Sequence, residues 1–164
     1  RLYSRDIPKE NFFEDLFING NPIKNSSVVL SRRIIDKIGF LDQNLDLMAV
    51  EDFDYWIRAI KEGAKTKYIA QSLGYYWKGS NTSYKMIQIQ RYENLLNKYK
   101  GEITSKKSIK LVNKMFCFHK GRIYHTNGFF SKALQQYIKS LDIRTVKFKF
   151  ALLGILCCLL RIKI

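Results

Sequence analysis

Proline and cysteine are both scarce in this sequence. The two prolines, Pro8 and Pro22, lie near the start, so residues 23–164 can form long, unbroken helices. The three cysteines form no CxxC pair, and two of them, Cys157 and Cys158, are adjacent within an apolar run. This pattern favours buried thiols in a reducing compartment.

Acidic residues are scarce in one part of the chain only. Residues 85–164 contain 3 acidic and 17 basic side chains, whereas residues 1–84 contain 11 and 12. We therefore expect two parts: residues 1–84, balanced in charge as a substrate-binding globule can be, and residues 85–164, a basic helical tail drawn to anionic surfaces. With 46% hydrophobic residues the chain is a folding sequence and not a disordered one.

Long apolar runs are also missing. The longest, residues 150–160, would rise about 16 Å as a helix, roughly half of a bilayer core. It is expected to pack internally or to enter one leaflet without crossing. No signal peptide is visible, and the chain starts with Arg1 instead of Met, so we expect a piece of a longer gene product.

Hydrophobic periodicity predicts the local structure. Helices are expected where apolar residues recur at helical spacing, and strands where β-branched and aromatic residues cluster. A helical hairpin with the glycine, alanine and tyrosine spacing of residues 121–141 faintly resembles one tetratricopeptide-type unit, although such arrays need about three repeats. The predicted helices are 9–18, 32–38, 51–62 and several beyond 85; the predicted strands are 27–30, 67–70 and 73–77.

The helix predicted for 51–62 begins with the carboxylates Glu51 and Asp52. Carboxylates in a first helical turn interact favourably with the helix dipole, so both residues have a purely structural role open to them. Asp54 and Arg58 are spaced to pair on what we expect to be the exposed face of this helix. Trp56 is expected in the core.

The order of the motifs favours a catalytic interpretation. Asn25-Ser26-Ser27 leads into the first predicted strand, and Arg32-Arg33 and the turn Ile38-Gly39-Phe40-Leu41-Asp42 follow. Then come Glu51-Asp52 with Tyr55-Trp56 and Arg58, and finally Leu73-Gly74-Tyr75-Tyr76-Trp77. Over residues 21–84 this order resembles the acceptor half of the family-two inverting glycosyltransferases of the A-type fold. The resemblance implies an α/β fold, a partial glycosyltransferase A-type domain, followed by an all-α C-terminal region.

The resemblance also implies roles for individual residues. Asp52 matches the general base that removes the proton from the acceptor hydroxyl, and Glu51 would orient the helix start or an acceptor hydroxyl. Trp77 offers a face for sugar stacking or for core packing. The remaining substrate-binding candidates are Ser26, Ser27, Arg58 and Lys78. Lys78 stands where the family often has a His or Arg that meets the donor diphosphate, and would replace it as a point charge.

The metal site of the family has no counterpart here. These enzymes hold a divalent ion, Mg or Mn, and the nucleotide-sugar donor with an Asp-x-Asp motif in the N-terminal half. Asp52-Phe53-Asp54 has these letters but coincides with the base motif. We therefore expect the metal ligands outside this chain, and a fragment that is inactive alone.

The implied partners are a nucleotide-sugar donor, a glycan or lipid-linked acceptor and an anionic membrane surface, with the enzyme peripheral on the cytoplasmic face of the cell membrane. The alternative is a non-catalytic helical interaction module, in which residues 85–143 bind a partner protein and Glu51-Asp52 only begins a helix. No recognition motif accompanies the lysines, so nucleic acid is not an expected partner. His119 and His125 are expected to be ordinary surface or interface residues.

Overall fold

The structure is a computed structural model that describes residues 12–69, 71, 74–75 and 85–163. The described part of the chain is helical, with single turns of 3-10 helix at Asn25–Ser27, Leu45–Leu47 and Lys100–Glu102. The α-helices are α1 (Phe12–Asn19), α2 (Arg32–Ile38), α3 (Glu51–Lys61), α4 (Ile87–Tyr99), α5 (Lys106–Thr126), α6 (Phe130–Ser140) and α7 (Phe148–Leu159).

The predicted α/β fold is wrong. The described residues contain no strand and no sheet. Val28 has the extended backbone expected of a strand, but it follows a 3-10 turn and pairs with no other described residue, and Val29 is almost fully exposed. Residues 64–69, which include most of the strand predicted for 67–70, are likewise irregular, and most of the strand predicted for 73–77 lies outside the described residues. β-branched residues favour extended backbone locally, but a strand is stable only beside a partner strand.

The helices predicted before residue 62 are confirmed. Helix α2 ends at Gly39, whose φ of +72° suits glycine and whose amide donates to the carbonyl of Ile35. Helix α3 buries the expected face, with Trp56 only 4% exposed. These helices follow from local spacing of apolar residues, which the sequence displays directly.

A first hydrophobic core joins α1, α3, α4 and the start of α5. Aromatic side chains dominate it: Phe17 contacts Phe53 and Tyr99 with ring centroids 5.7 and 5.8 Å apart. Leu95 and Val112 reach the same core from beyond residue 84. The boundary proposed at 84/85 stays a prediction, but packing is continuous across it.

A second core joins the C-terminal half of α5 to α6 and α7, with Tyr137 completely buried at its centre. Two glycines allow the ring of Tyr137 to fit. A Cβ added at Gly121 would lie 2.9 Å from the ring, and one at Gly154 would lie 2.6 Å from it. Because α5 belongs to both cores, it connects the two ends of the molecule.

Helix α7 packs by one face only. Ala151 and Cys158 are buried against α6, whereas the opposite side is exposed and apolar. We call Leu152, Leu153, Leu156, Leu159 and Leu160 the outer face of α7; each is at least 45% exposed. In the described part of the chain no helix combines the length and apolar character needed to span a membrane.

Candidate functional site

Asp52 lines a cleft of about 500 Å³, which we call the Asp52 cleft. The first turn of α3, the loop after α1, and the facing sides of α4 and α5 form its walls. Its polar lining residues are Asn21, Lys24, Asn25, Ser26, Asp52, Gln88, Tyr92, His119 and Lys120, and its apolar lining includes Phe53, Ile89, Phe116 and Ile123.

The loop after α1 reaches the cleft through a tight turn. Gly20 has a φ of +80°, a conformation that residues with a Cβ rarely adopt. Asn21 stabilises the turn because its side-chain oxygen accepts a hydrogen bond from the amide of Ile23, at 2.9 Å. A Cβ at Gly20 would lie 3.6 Å from Nε2 of His119, so the turn passes directly over the imidazole of α5.

The carboxyl of Asp52 is partly buried, and burial is the main reason that its pKa lies above the ordinary value. The neighbouring charge of Glu51 raises this pKa further, whereas backbone amides at the start of α3 and the charge of Lys24 lower it. A carboxyl with a raised pKa binds a proton more readily, which suits a group that must accept one.

Three polar atoms in the cleft are buried without a hydrogen-bond partner among the described residues. They are Nε2 of Gln88, Oη of Tyr92 and Nε2 of His119. Burial raises the pKa of Tyr92, and burial lowers the pKa of His119 to about 4, with the charges of Arg122 and Lys147 adding to it. Both side chains are therefore neutral at physiological pH.

The structure places only some of the predicted site residues at the cleft. Asp52 and Ser26 line the cleft. Glu51 begins the same helix, but its Oε2 is buried with no described partner. Ser27 donates to the carbonyl of Lys24 and belongs to the 3-10 turn. Trp77 and Lys78 lie outside the described residues.

Arg58 makes contacts that stabilise the fold and does not line the cleft. Its Nε donates to Asp54 at 2.9 Å, and its other nitrogens donate to the carbonyls of Ile38 and Phe40, which fixes the end of α2 against α3. The pairing of Arg58 with Asp54 was predicted correctly, but the prediction that the pair lies on an exposed face was wrong. Asp54 is fully buried and also accepts from Tyr99 and Lys98, each at 2.7 Å.

The side of the cleft that α4 and α5 form, with Gln88, Tyr92 and His119, is called the far wall here. The sequence interpretation missed most of it. His119 was expected at the surface, but it lies beside Tyr92, with ring centroids 5.0 Å apart. His125 is fully buried, and its Nε2 lies 2.7 Å from the carbonyl oxygen of Ile162. Gln88 offered a signal, because it precedes Tyr92 by one helical turn and places a polar group on an apolar stripe.

The described residues hold no cluster of three or more His, Cys, Asp or Glu side chains suited to a metal. They do not fit the divalent ion that the resemblance implies, whose ligands are expected outside this chain.

Comparison with known proteins adds no relative: no protein-family model, curated protein or solved structure matches this chain.

Proposed function

We propose that this chain is the acceptor side of an inverting glycosyltransferase, with Asp52 as its general base. One observation supports this proposal above the others: Asp52 lies at the opening of a cleft large enough for a sugar ring, and its pKa is raised by burial. Ser26, another predicted substrate-binding residue, lines the same cleft. Structural N-terminal carboxylates are usually solvated, so burial in a cleft favours a chemical role.

The proposed step needs one carboxylate. An acceptor hydroxyl donates a hydrogen bond to Asp52, and its oxygen attacks the anomeric carbon of the donor sugar. As the new C–O bond forms, the bond from that carbon to the nucleotide diphosphate breaks, and the hydroxyl proton moves to the carboxylate. Direct displacement inverts the anomeric centre. General base catalysis of this kind is worth about 10²–10⁴ in rate.

The nucleotide-sugar donor and its Mg or Mn ion are assigned to residues outside this chain. The cleft offers the two rim lysines Lys24 and Lys120 but no set of acidic ligands near them. Within the chain, Glu51 acts on the site through its charge, which raises the pKa of Asp52. Arg58 positions α3 through its contacts with α2.

The test is sugar transfer from a nucleotide sugar to a glycan acceptor, measured in the polypeptide that joins this chain to its donor-binding half. Asp52→Asn preserves the shape and removes the base, so turnover should fall about 100-fold or more, with donor affinity unchanged. Asp46→Asn, in the exposed turn before α3, is the control and should retain full turnover. Equal turnover of the wild type and Asp52→Asn would rule out the assignment.

We propose further that the enzyme works on the cytoplasmic face of an anionic membrane, where lipid-linked acceptors reside. The outer face of α7 supports this location because it exposes a row of leucines between basic ends. Lys149 begins the row one turn before Leu152, and Arg161 and Lys163 follow its end; all three lysine and arginine side chains are exposed. A helix of this kind lies in the interface and does not span it.

Charge and apolar contact should act together in this binding. Each basic residue near an anionic surface contributes about 1 kcal/mol, and this attraction is screened over about 8 Å at physiological salt. Binding should therefore require anionic lipid and weaken with added salt. Since the inner side of α7 is part of the second core, deleting the helix would confuse anchoring with folding.

Vesicle sedimentation with point variants avoids this problem. Leu153→Ser with Leu156→Ser removes two exposed leucines from the outer face, and should reduce binding to vesicles with anionic lipid while leaving the melting temperature unchanged. Ile138→Ser changes an exposed apolar residue of α6 and is the control. A double variant that binds as well as the wild type, or a wild type that ignores anionic vesicles at low salt, would rule out the membrane location.

A further inference from the structure

The far wall of the Asp52 cleft carries buried polar groups that have no hydrogen-bond partner among the described residues. Gln88 is only 5% exposed, yet its Nε2 finds no hydrogen-bond partner among the described residues, and the same holds for Oη of Tyr92 and Nε2 of His119. Native proteins leave few buried polar atoms unpaired, because each one is a cost to folding. Three of them on one wall of one cleft indicate a ligand that supplies the missing bonds.

The chemistry of the three groups defines the class of ligand. An amide, a phenol and an uncharged imidazole are all neutral. The unpaired Nε2 of Gln88 donates hydrogen bonds, Oη of Tyr92 can donate or accept, and Nε2 of His119 does one or the other according to its tautomer. They lie beside aromatic faces: the ring of Tyr92 stacks on Phe116, with centroids 5.6 Å apart, and contacts Phe53 at 6.1 Å. A neutral molecule with several hydroxyl groups and one apolar face matches this wall.

The charged side chains of the cleft leave room for a neutral ligand with several hydroxyl groups. Lys24 and Lys120 both line the cleft; Lys24 is exposed, and Nζ of Lys120 lies 4.3 Å from the centre of the Phe116 ring. The three unpaired atoms belong to neutral groups, so the hydrogen bonds that they offer do not require a charge on the ligand. Hydrogen bonds from Gln88, Tyr92 and His119 would select a ligand by the positions of its hydroxyl groups.

We propose that Gln88, Tyr92 and His119 form the saccharide-binding wall of the Asp52 cleft. They hydrogen-bond the non-reacting hydroxyls of an acceptor sugar and so direct one hydroxyl toward Asp52. The direction of one hydroxyl toward Asp52 rests on the proposed function, whereas binding of a saccharide by the wall does not. In this arrangement α4 and α5, which belong to the basic part of the chain, contribute residues to the site.

The test uses the chain itself and the methyl β-glycosides of glucose, galactose and N-acetylglucosamine, titrated while backbone amide resonances are recorded. At least one glycoside should bind, with shifts concentrated on α4 and the start of α3. Tyr92→Phe and Gln88→Met each remove one unpaired group at nearly constant volume. Each should weaken binding about three- to tenfold, the range of one hydrogen bond. Gln90→Met, on the exposed side of α4, should change nothing.

Thermal unfolding separates recognition from a structural role. Because the removed groups have no partner in the described part of the chain, Tyr92→Phe and Gln88→Met should melt at the same temperature as the wild type or higher. Weaker glycoside binding together with a lower melting temperature would assign these groups to folding and overturn the proposal. Failure of all three glycosides to bind, or unchanged affinity in both variants, would overturn it too.

The two proposals fail in different ways. If wall variants weaken glycoside binding but Asp52→Asn leaves sugar transfer unchanged, the wall stands and the catalytic assignment falls. If Asp52→Asn abolishes transfer but Tyr92→Phe and Gln88→Met leave the acceptor KM unchanged, the catalytic assignment stands and the wall falls.

Discussion

Replacing Asp54 by asparagine should destabilise the fold far more than its position on an amphipathic helix suggests. Asp54 is fully buried and accepts hydrogen bonds from Arg58, Tyr99 and Lys98. The hydrogen bond to Asp54 holds the pKa of Tyr99 above its ordinary value, second to burial as a cause. Burial works to lower the pKa of Lys98, but its bonds to Asp54 and Asp42 raise it overall.

The size of the effect follows from these contacts. An asparagine oxygen can keep the neutral bond from Tyr99, so the variant loses two charge-assisted bonds. Hydrogen bonds to charged groups contribute about 1.5–3 kcal/mol each, and the partial exposure of Arg58 and Lys98 places these two at the lower end. We therefore expect Asp54→Asn to lower the free energy of unfolding by about 3 kcal/mol, within the range for breaking a buried pair.

Urea denaturation followed by circular dichroism measures this loss as a lower midpoint at constant slope. The matched control is Asp36→Asn, which breaks the exposed pair of Arg32 and Asp36 on α2. Exposed pairs one helical turn apart contribute only about 0.3–0.5 kcal/mol. A loss for Asp54→Asn no larger than for Asp36→Asn would show that Asp54 is solvated, and would refute the buried network.

Three further outcomes follow from the same structure. Asp52→Asn should raise the melting temperature at pH 7, because a raised carboxyl pKa means that stability falls as pH rises above about 4; the gain should vanish below about pH 3. The imidazole of His119 should titrate near pH 4 by NMR, so that its contribution to stability is lost as pH falls from about 6.5 to 4; a midpoint near 6.5 would place it in solvent. Gly154→Ala should cost about 1–3 kcal/mol through the clash with Tyr137, whereas Gly101→Ala, with open space around it, should not; equal melting temperatures would contradict the tight fit.

Local physics explains which parts of the fold could be predicted. Helix α3 was predictable because Phe53, Trp56 and Ile57 repeat at helical spacing, and the end of α2 because Gly39 supplies a positive φ. The strands were not, because extended backbone at Val28 becomes a strand only when a partner strand lies beside it.

The site was predictable only on one side. Asp52 and Ser26 belong to sequence motifs, and the structure brings both to the same cleft. Gln88 and His119 face them from α4 and α5, which meet the start of α3 only through tertiary packing. The burial of Asp54 was unforeseen for the same reason, since its partner Tyr99 is distant in sequence.

The most direct test of Asp52 as the general base is the pH dependence of sugar transfer, measured in the same polypeptide for the wild type and for Asp52→Asn. The wild-type rate should rise with pH through an apparent pKa above the ordinary aspartate value of 3.8, because the carboxyl must be ionised to accept the proton. In Asp52→Asn this limb should disappear and the plateau should fall about 100-fold or more. A variant that keeps both the limb and the plateau of the wild type would contradict the assignment.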